Sequence, residues 1–303
     1  MGLMPKLHMF LPGALGDLLI DLPIAGYYRD VMGYNEIFWP IHKKLHPTMS
    51  ACAPWINWYP LPFEPTIELG LSWERYFVEC GLPNFLVPTE ENTTFLDITH
   101  LHPVPNEADM HLKFDQWRYH LANVPFIYKW KLAEYIIRYP EQEQEVIQKL
   151  TTPGVPYVVT HTVGSSTRMT LDLSNLTAQG IQVIEIVPGV TPNAVNWLGL
   201  IEGAEALYMY DSSFANLVDQ MQITVPKLFF RRSAWQMTPV MGMNWEFRGA
   251  PPDIIEQLEA DYKKQGFPED YYRFQLDTMR KEKETRERCL REKYGYELTG
   301  FGN

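Results

Sequence analysis

Apolar and polar residues alternate along the start of the chain in blocks that predict a strand, a helix and a second strand. The apolar run 7–11 predicts a buried strand, and a Pro-Gly turn follows it. Across residues 17–30 the apolar residues recur at helical spacing, and the segment 36–39 predicts the next strand. This order is the unit of a parallel sheet covered by helices.

The same alternation begins again after residues 151–156, where two prolines and a glycine indicate a linker. Beyond it, short apolar segments predict four strands, and the segments between them predict three helices. The predicted strands are 157–161, 182–187, 206–210 and 225–230, and the predicted helices are 173–179, 194–204 and 213–221. Apolar strands with short crossovers are typical of a doubly wound sheet.

These patterns predict an α/β protein with two facing Rossmann-like domains and a helical C-terminal tail. We place the first domain at residues 1–152, the second at 153–250 and the tail at 251–303. The proline-rich stretch 60–105 has an irregular pattern, and residues 115–150 are helical in pieces. In the tail, 252–265 and 271–293 are charged and helical, and their periodic apolar residues predict that the tail packs back across the two domains.

The net charge and the cysteine content limit which partners and which cell compartment the sequence favours. The net charge of -11 argues against a broad hold on duplex DNA or on anionic lipid. A local basic groove remains open, formed by Lys227, Arg231, Arg232 and Arg248, although a solvated rim is the favoured interpretation of these residues. The three cysteines are scattered and form no Cys-x-x-Cys pair, which favours a reducing compartment, the cytoplasm. The sequence predicts neither a signal peptide nor a membrane span.

Glycines lie between the first predicted strand and helix, at the point where α/β folds place their ligands. Gly13 and Gly16 permit close approach of the backbone to a ligand, and Asp17 follows at the start of the helix. The helix dipole stabilises an ionised carboxylate there. Asp17 is therefore either a ligand-facing carboxylate or a helix cap with a stabilisation of about 1 kcal/mol, and the spacing alone leaves both open.

Two polar turns follow predicted strands of the second half. The first contains Thr162, Gly164, Ser165, Ser166 and Arg168, and its backbone N–H groups, hydroxyls and guanidinium suit an anion. The second contains Asp211, Ser212, Ser213 and Asn216, where the serines can cap a helix whose N-terminus faces a phosphate. Two such turns at one edge of a sheet predict a diphosphate site that needs no metal.

Two segments resemble the heptosyltransferase-type glycosyltransferases of lipopolysaccharide synthesis. One is Gly16-Asp17-Leu18-Leu19 with Leu22-Pro23, and the other is Leu200-Ile201-Glu202-Gly203-Ala204 followed by Asp211-Ser212-Ser213-Phe214-Ala215-Asn216-Leu217. In this chain Ser213 replaces the family's glycine and Asn216 replaces its histidine. These departures put a heptose donor in question.

The resemblance implies a GT-B-like glycosyltransferase in which the N-terminal domain faces the acceptor and the C-terminal domain holds a nucleotide-diphosphate sugar. Asp17 would be the base that deprotonates an acceptor hydroxyl, for an inverting, metal-independent transfer without a cofactor. Glu202 and the two polar turns would contact the donor, with Arg168 facing its phosphates. Two alternatives remain: transfer to a modified nucleic-acid base, and a non-catalytic module that binds sugar or nucleotide.

Other polar and aromatic residues give weaker signals. A metal site at His42 and His46, or at His100 and His102, is not favoured, because the first pair lacks the glutamate of a zinc protease motif. One aromatic and basic set is either an acceptor surface or, as we favour, core and rim: Trp117, Arg118, Tyr119, Trp130 and Arg138. The segment 235–245 is predicted to be an ordered loop that closes over the nucleotide base.

Overall fold

The computed structural model describes residues 5–11, 13–61, 93–98, 113–164, 169–230, 239–242 and 244–248, with four isolated helical positions at 259, 263, 269 and 273. Nine strands are assigned in these ranges: β1 Lys6–Phe10, β2 Glu36–His42, β3 Asn57–Leu61, β4 Thr93–Asp97, β5 Tyr157–His161, β6 Gln182–Glu185, β7 Ala206–Tyr210, β8 Lys227–Phe230 and β9 Trp245–Arg248. Most of the proline-rich stretch and of the tail lies outside the described residues.

Helices lie between these strands. The α-helices are α1 Leu15–Asp30, α2 His46–Cys52, α3 Phe114–Leu121, α4 Pro140–Leu150, α5 Ser174–Ala178, α6 Leu198–Glu202 and α7 Ser213–Gln220. Two 3-10 segments complete the set, Phe126–Glu134 and Ala194–Trp197. The fold is α/β, as the sequence predicts. No helix in the described ranges is long and apolar enough to span a membrane.

The strands form two parallel sheets. The first has the order β3-β2-β1-β4 and the second the order β6-β5-β7-β8-β9. In each sheet the strands that follow the first strand are added on one side of it, and the later strands are added on its other side. A topological switch point therefore lies between β1 and β4, and another between β5 and β7. Ligands of open α/β sheets bind outside the carboxyl ends of the strands at such points. The turns that contain Asp17, Thr162 and Ser212 all follow these strands.

Strand boundaries depart from the sequence prediction where prolines and aromatic residues occur. β2 continues through Pro40 to His42, because beyond Phe38 the strand pairs only with β3 and the missing proline N–H costs no bond to β1. Trp245, predicted to belong to a loop, begins β9 and pairs with Lys227. Lys227 itself is buried, and its Nζ donates to the carbonyl of Ile223 at 2.5 Å, so this lysine does not belong to a solvated rim.

Helix α1 is buried on every side rather than along one stripe. All residues from 18 to 26 are buried, and they share one hydrophobic core with residues of β1 and β2. Helix α7 and the 3-10 segment Phe126–Glu134 both pack on α1. A helix covered by a sheet on one side and by helices on the other has no solvent face, which explains its continuous burial.

The contact between α1 and the residues after the 3-10 segment requires a glycine. A Cβ built on Gly26 would be 2.3 Å from Cε1 of Tyr135, which is itself buried. We expect Gly26→Ala to lower the free energy of unfolding by about 1–3 kcal/mol, as overpacking does, although alanine favours a helix by roughly 1 kcal/mol. Denaturant unfolding measures this change.

The control is a double-mutant cycle with Tyr135→Leu, which removes the ring that the new methyl group meets. Gly26→Ala should then cost less in the leucine background than in the parent chain. An equal cost in both backgrounds would mean that the Tyr135 ring is not the constraint.

Candidate functional site

The N-termini of α1 and α7 lie against each other. A Cβ built on Gly16 would be 3.2 Å from Cα of Ser213 and 3.4 Å from its Cβ. A side chain at position 16 would therefore push the two helices apart. The contact brings Asp17, which follows the first strand, next to the turn at Ser212 that follows β7.

Asp17 is the third residue of α1, because the helix begins at Leu15 with Ala14 as its N-cap. Its Oδ2 accepts the backbone N–H of Ala14 at 3.0 Å. A Cβ on Gly13 would be 2.6 Å from Cβ of Asp17, so this glycine makes room for the carboxylate. The side chain remains 26% exposed. Asp17 thus caps the helix from within and is still accessible to a ligand.

A fully buried guanidinium joins Asp17 to a second carboxylate. Nη2 of Arg118 is 3.0 Å from Oδ1 of Asp17, and Nη1 donates to Oδ2 of Asp21 at 3.0 Å. The side chains of Arg118 and Asp21 are both 0% exposed. Arg118 is buried, as expected of a residue of the core and rim. The sequence did not predict that its guanidinium contacts two carboxylates.

Burial is the largest single influence on the pKa values of Asp21 and Arg118. It raises the pKa of Asp21 to about 7, against the opposing charge of Arg118, while Asp17 and Asp115 add to the rise. For Arg118, burial disfavours the cation, but Asp21 and Asp17 outweigh it and raise the pKa further. Sequence reasoning missed Asp21, although it lies four residues after Asp17 and so on the same helix face.

A histidine that the sequence analysis overlooked lies beside the N-cap of α7. Nδ1 of His161, at the end of β5, is 2.8 Å from Oγ of Ser212, and the same Oγ accepts the N–H of Ala215 at 3.4 Å. Burial lowers the pKa of His161 to about 4, opposed by Glu185. The imidazole is therefore neutral at pH 7. Either atom of the pair Nδ1 and Oγ can donate in this bond; when the Ser212 hydroxyl donates, the ring proton lies on Nε2.

The first polar turn of the second half begins beside His161. Thr162 is buried, and its hydroxyl donates to Oε1 of Glu185, while its carbonyl accepts the N–H of Met169 at 2.9 Å. Gly164 lies in the loop that this bond closes. The remaining predicted residues of the turn, Ser165, Ser166 and Arg168, lie outside the described residues.

The second polar turn is at the carboxyl end of β7. Asp211 is buried, and its N–H donates to the carbonyl of Phe230 on the neighbouring strand at 2.9 Å. Ser212 is the N-cap of α7, as the sequence predicts, and Ser213 is the first helical residue. Asn216 is also buried and donates from Nδ2 to the carbonyl of Ser212 at 3.1 Å.

Glu202 is not brought to this place. It ends α6, which leads into the amino end of β7, so a whole strand separates it from Asp211 at the carboxyl end. Its carboxylate pairs with Arg138 at 2.6 and 2.7 Å, and Arg138 also pairs with Glu143 of α4. Glu202 and Arg138 therefore join two helices, and we leave Glu202 out of the candidate site.

A pocket of about 680 Å³ lies at the other end of α7, lined by Trp130, Asp219, Gln222, Lys227 and Asn244 among others. Asp219 accepts N–H groups from Trp130, Gly242 and Trp245 at 2.9, 2.7 and 2.8 Å. This network ties the last turn of α7 to the 3-10 segment and to the strand β9. The pocket is thus separate from the turn at Ser212.

The described part of the chain contains no group of three or more His, Cys, Asp or Glu side chains arranged to hold a metal ion. Nδ1 of His42 accepts the N–H of Lys44 at 3.3 Å, and Nε2 of His46 is 3.3 Å from Oγ of Ser50. His100 and His102 lie outside the described residues.

The site and the two sheets define a doubly wound α/β fold whose switch points are close together. No protein-family model and no curated protein sequence matches the chain. Among solved structures, it is similar to the E. coli ADP-heptose lipopolysaccharide heptosyltransferase II, with a TM-score of 0.52 and 12% identity over 87% of this chain and 100% of that chain. This similarity confirms, at the level of the fold, the resemblance seen in the motifs.

Two further structures are less similar. An iron-containing dodecameric glycosyltransferase from enterotoxigenic E. coli has a TM-score of 0.49 and 12% identity over 83% of this chain and 65% of that chain, so the chain spans less than two thirds of its length. A family 9 glycosyl transferase from Veillonella parvula has a TM-score of 0.46 and 13% identity over 88% of this chain and 90% of that chain.

The neutral, buried state of His161 makes a prediction about stability and pH. Because its pKa falls from 6.5 to about 4 on folding, its contribution to stability is lost as pH decreases through this window. The free energy of unfolding of the wild type, minus that of His161→Gln, should therefore rise by roughly 3 kcal/mol between pH 4 and pH 7. Denaturant unfolding at several pH values measures this difference.

The matched control is His120→Gln, which changes an exposed histidine. The change for His161→Gln over this pH range should exceed any change for His120→Gln. A constant difference for His161→Gln would show that His161 is not buried in its neutral form.

Proposed function

We propose that this chain is a glycosyltransferase that moves a sugar from a nucleotide-diphosphate donor to an acceptor hydroxyl. The observation that carries the proposal is the contact between Gly16 and Ser213. It puts a partly exposed carboxylate, Asp17, beside a helix N-terminus capped by Ser212. A carboxylate next to an anion site is the pair of groups that the transfer of an activated sugar needs.

The reaction is inverting and metal-independent in this proposal. Asp17 accepts the proton of the acceptor hydroxyl. The oxygen of this hydroxyl forms a bond to the anomeric carbon of the donor, and the bond from that carbon to the diphosphate oxygen breaks. The leaving diphosphate takes the electron pair of that bond. The N–H groups at the start of α7 and the hydroxyls of Ser212 and Ser213 stabilise its charge.

His161 extends the anion site. In this proposal the Ser212 hydroxyl donates to Nδ1, so the N–H at Nε2 is a donor at the carboxyl end of β5, the strand beside β7. A neutral imidazole supplies a hydrogen bond without adding charge. Thr162, Gly164, Asp211 and Asn216 complete the described donor side, and we assign Ser165, Ser166 and Arg168 to the same loop from the sequence.

We assign the acceptor and the donor to the parts of the chain that contain the first and the second sheet. We propose that residues 1–152 form the acceptor-side domain, that 153–250 form the donor-binding domain and that the tail 251–303 packs across both in a GT-B-like arrangement. The partners are a nucleotide sugar and a glycan or another hydroxyl acceptor, in the cytoplasm and without a cofactor. The motif resemblance, the two switch points and the net charge of -11 support this assignment over nucleic-acid binding.

Asp17→Asn tests the proposed base. We expect the substitution to lower kcat for sugar transfer by about 10²–10⁴-fold, because the amide cannot accept the proton. Binding of nucleoside diphosphates, measured by thermal shift with ADP, UDP and GDP, should remain near that of the wild type. Transfer is measured with a panel of nucleoside-diphosphate sugars, ADP-heptose and UDP-glucose among them.

Asp30→Asn is the matched control, because Asp30 is an exposed residue at the other end of α1 that pairs with Arg29. It should leave both kcat and nucleotide binding unchanged. Transfer by Asp17→Asn at the wild-type rate would exclude Asp17 as the base, and nucleotide binding without any turnover of donor by the wild type would favour a binding module.

A further inference from the structure

Arg118 has one charged contact in the candidate site and another in the core. Its two Nη atoms are each 3.0 Å from a carboxylate oxygen, one on Asp17 and one on Asp21. The guanidinium carbon also lies 5.1 Å from the ring centroid of Phe114. The side chain is 0% exposed, and of its three nitrogens only Nη1 makes a hydrogen bond within the described residues.

The two oxygens of Asp17 have different neighbours. Oδ1 faces Arg118, and Oδ2 accepts the N–H of Ala14. Each carboxylate oxygen has a second lone pair, so both can accept another hydrogen bond. These two contacts fix the carboxylate without using its whole capacity, as a group that takes a proton from a bound hydroxyl requires.

We propose that Arg118 and Asp21 are positioning residues for the base Asp17. Arg118 orients the Asp17 carboxylate, and Asp21 anchors Arg118 and takes up part of its charge. This inference rests on the proposed function. Asp21 accepts a hydrogen bond from Nη1 of the guanidinium, while Nη2 lies against the partly exposed carboxylate of Asp17, at the edge of the sheet where α/β folds bind their ligands.

The charged groups that act on the pKa of Asp21 are Arg118, Asp17 and Asp115, and the other elements that pack on α1 carry charged groups with partners of their own. Asp17 lies on α1 itself, while α3 supplies Arg118, Asp115 and Tyr119. The Tyr119 hydroxyl donates to the carbonyl of Ile20 at 2.9 Å.

The 3-10 segment supplies Lys129, which pairs with Asp115 at 2.7 Å and lies 3.9 Å from Asp219 of α7. In β2, Glu36 pairs with Lys6, and His42 accepts the N–H of Lys44.

The ionisation of Asp21 decides how Arg118 acts. Burial raises the pKa of Asp21 to about 7, so the group is neutral in mild acid and ionised in mild base. With Asp21 neutral, the full charge of Arg118 acts on Asp17 and makes it a poorer proton acceptor. With Asp21 ionised, the guanidinium is shared between two carboxylates. The rate of transfer should therefore rise as pH increases through about 7, with Asp21 as the group that titrates.

The test compares Asp21→Asn and Arg118→Lys with the wild type over pH 5.5–9. We expect Asp21→Asn to remove the step in kcat near pH 7, to hold kcat at the value of the acid limb and to leave KM for the donor unchanged. Arg118→Lys should lower kcat about tenfold or more at constant KM, because an ammonium cannot bridge two carboxylates as a planar fork does. Arg29→Lys, at a partly exposed arginine near the other end of α1, is the control and should leave kcat unchanged.

Carbon-13 NMR of the aspartate carboxylates tests the same coupling without turnover, on the folded wild-type chain. The Asp21 signal should titrate near pH 7 and should shift the signal of Asp17, which Asp17→Asn identifies. A step in kcat that survives in Asp21→Asn, a wild-type kcat in Arg118→Lys, or no coupling between the two signals would each overturn the inference.

Different results would reject Asp17 as the base and reject Arg118 and Asp21 as positioning residues. Wild-type activity in Asp17→Asn rejects the proposed base, whatever Arg118 does. Loss of activity in Asp17→Asn, with Arg118→Lys and Asp21→Asn at wild-type rates and pH profiles, rejects only the positioning role.

Discussion

The approach of two helix N-termini at Gly16 and Ser213 is the constraint on which the site depends. Each N-terminus carries about half a positive charge from aligned peptide dipoles, so the two ends repel each other. The nearby carboxylate of Asp17 offsets this repulsion. The same positive potential favours an anion, which is why we propose that the diphosphate of the donor binds here.

Helix α7 is fixed at both ends, and this makes its N-terminus a rigid platform. At its start, Ser213 rests on Gly16, and Ser212 is bonded to His161. At its end, Asp219 accepts three N–H groups from the 3-10 segment and from the residues that lead into β9. A site on a helix held in this way keeps its geometry better than one on a free loop.

How much of this the sequence predicts differs between the two halves. The strands β5 and β7 were predicted residue for residue, because apolar runs bounded by glycine and polar turns identify buried parallel strands. β3 and β4 lie within or beside the proline-rich stretch, whose pattern does not indicate strands. The N-cap at Ser212 was predictable from local chemistry, whereas the first helix begins two residues before Asp17.

The contacts that the sequence could not predict are those between distant segments. Arg118 lies 97 residues from Asp21 and belongs to a different helix, so no spacing rule connects them. Glu202 shows the opposite error: the motif resemblance grouped it with Asp211, but the path of the chain carries it to the other end of β7. Local patterns fix elements and caps, and tertiary packing decides which charges meet.

The two departures from the heptosyltransferase motif have separate physical consequences. Ser213 is tolerated in place of glycine because the residue opposite it, Gly16, has no side chain, so the helices still approach. Asn216 is buried and donates its amide N–H to the carbonyl of Ser212, inside its own helix. This bond uses one N–H of Nδ2, and the second N–H and the buried Oδ1, which has no hydrogen-bond partner among the described residues, are not used by it. In the site that we propose, Asn216 would therefore meet a donor with a different set of groups from a histidine, beside His161 and Ser212 at the ends of β5 and β7.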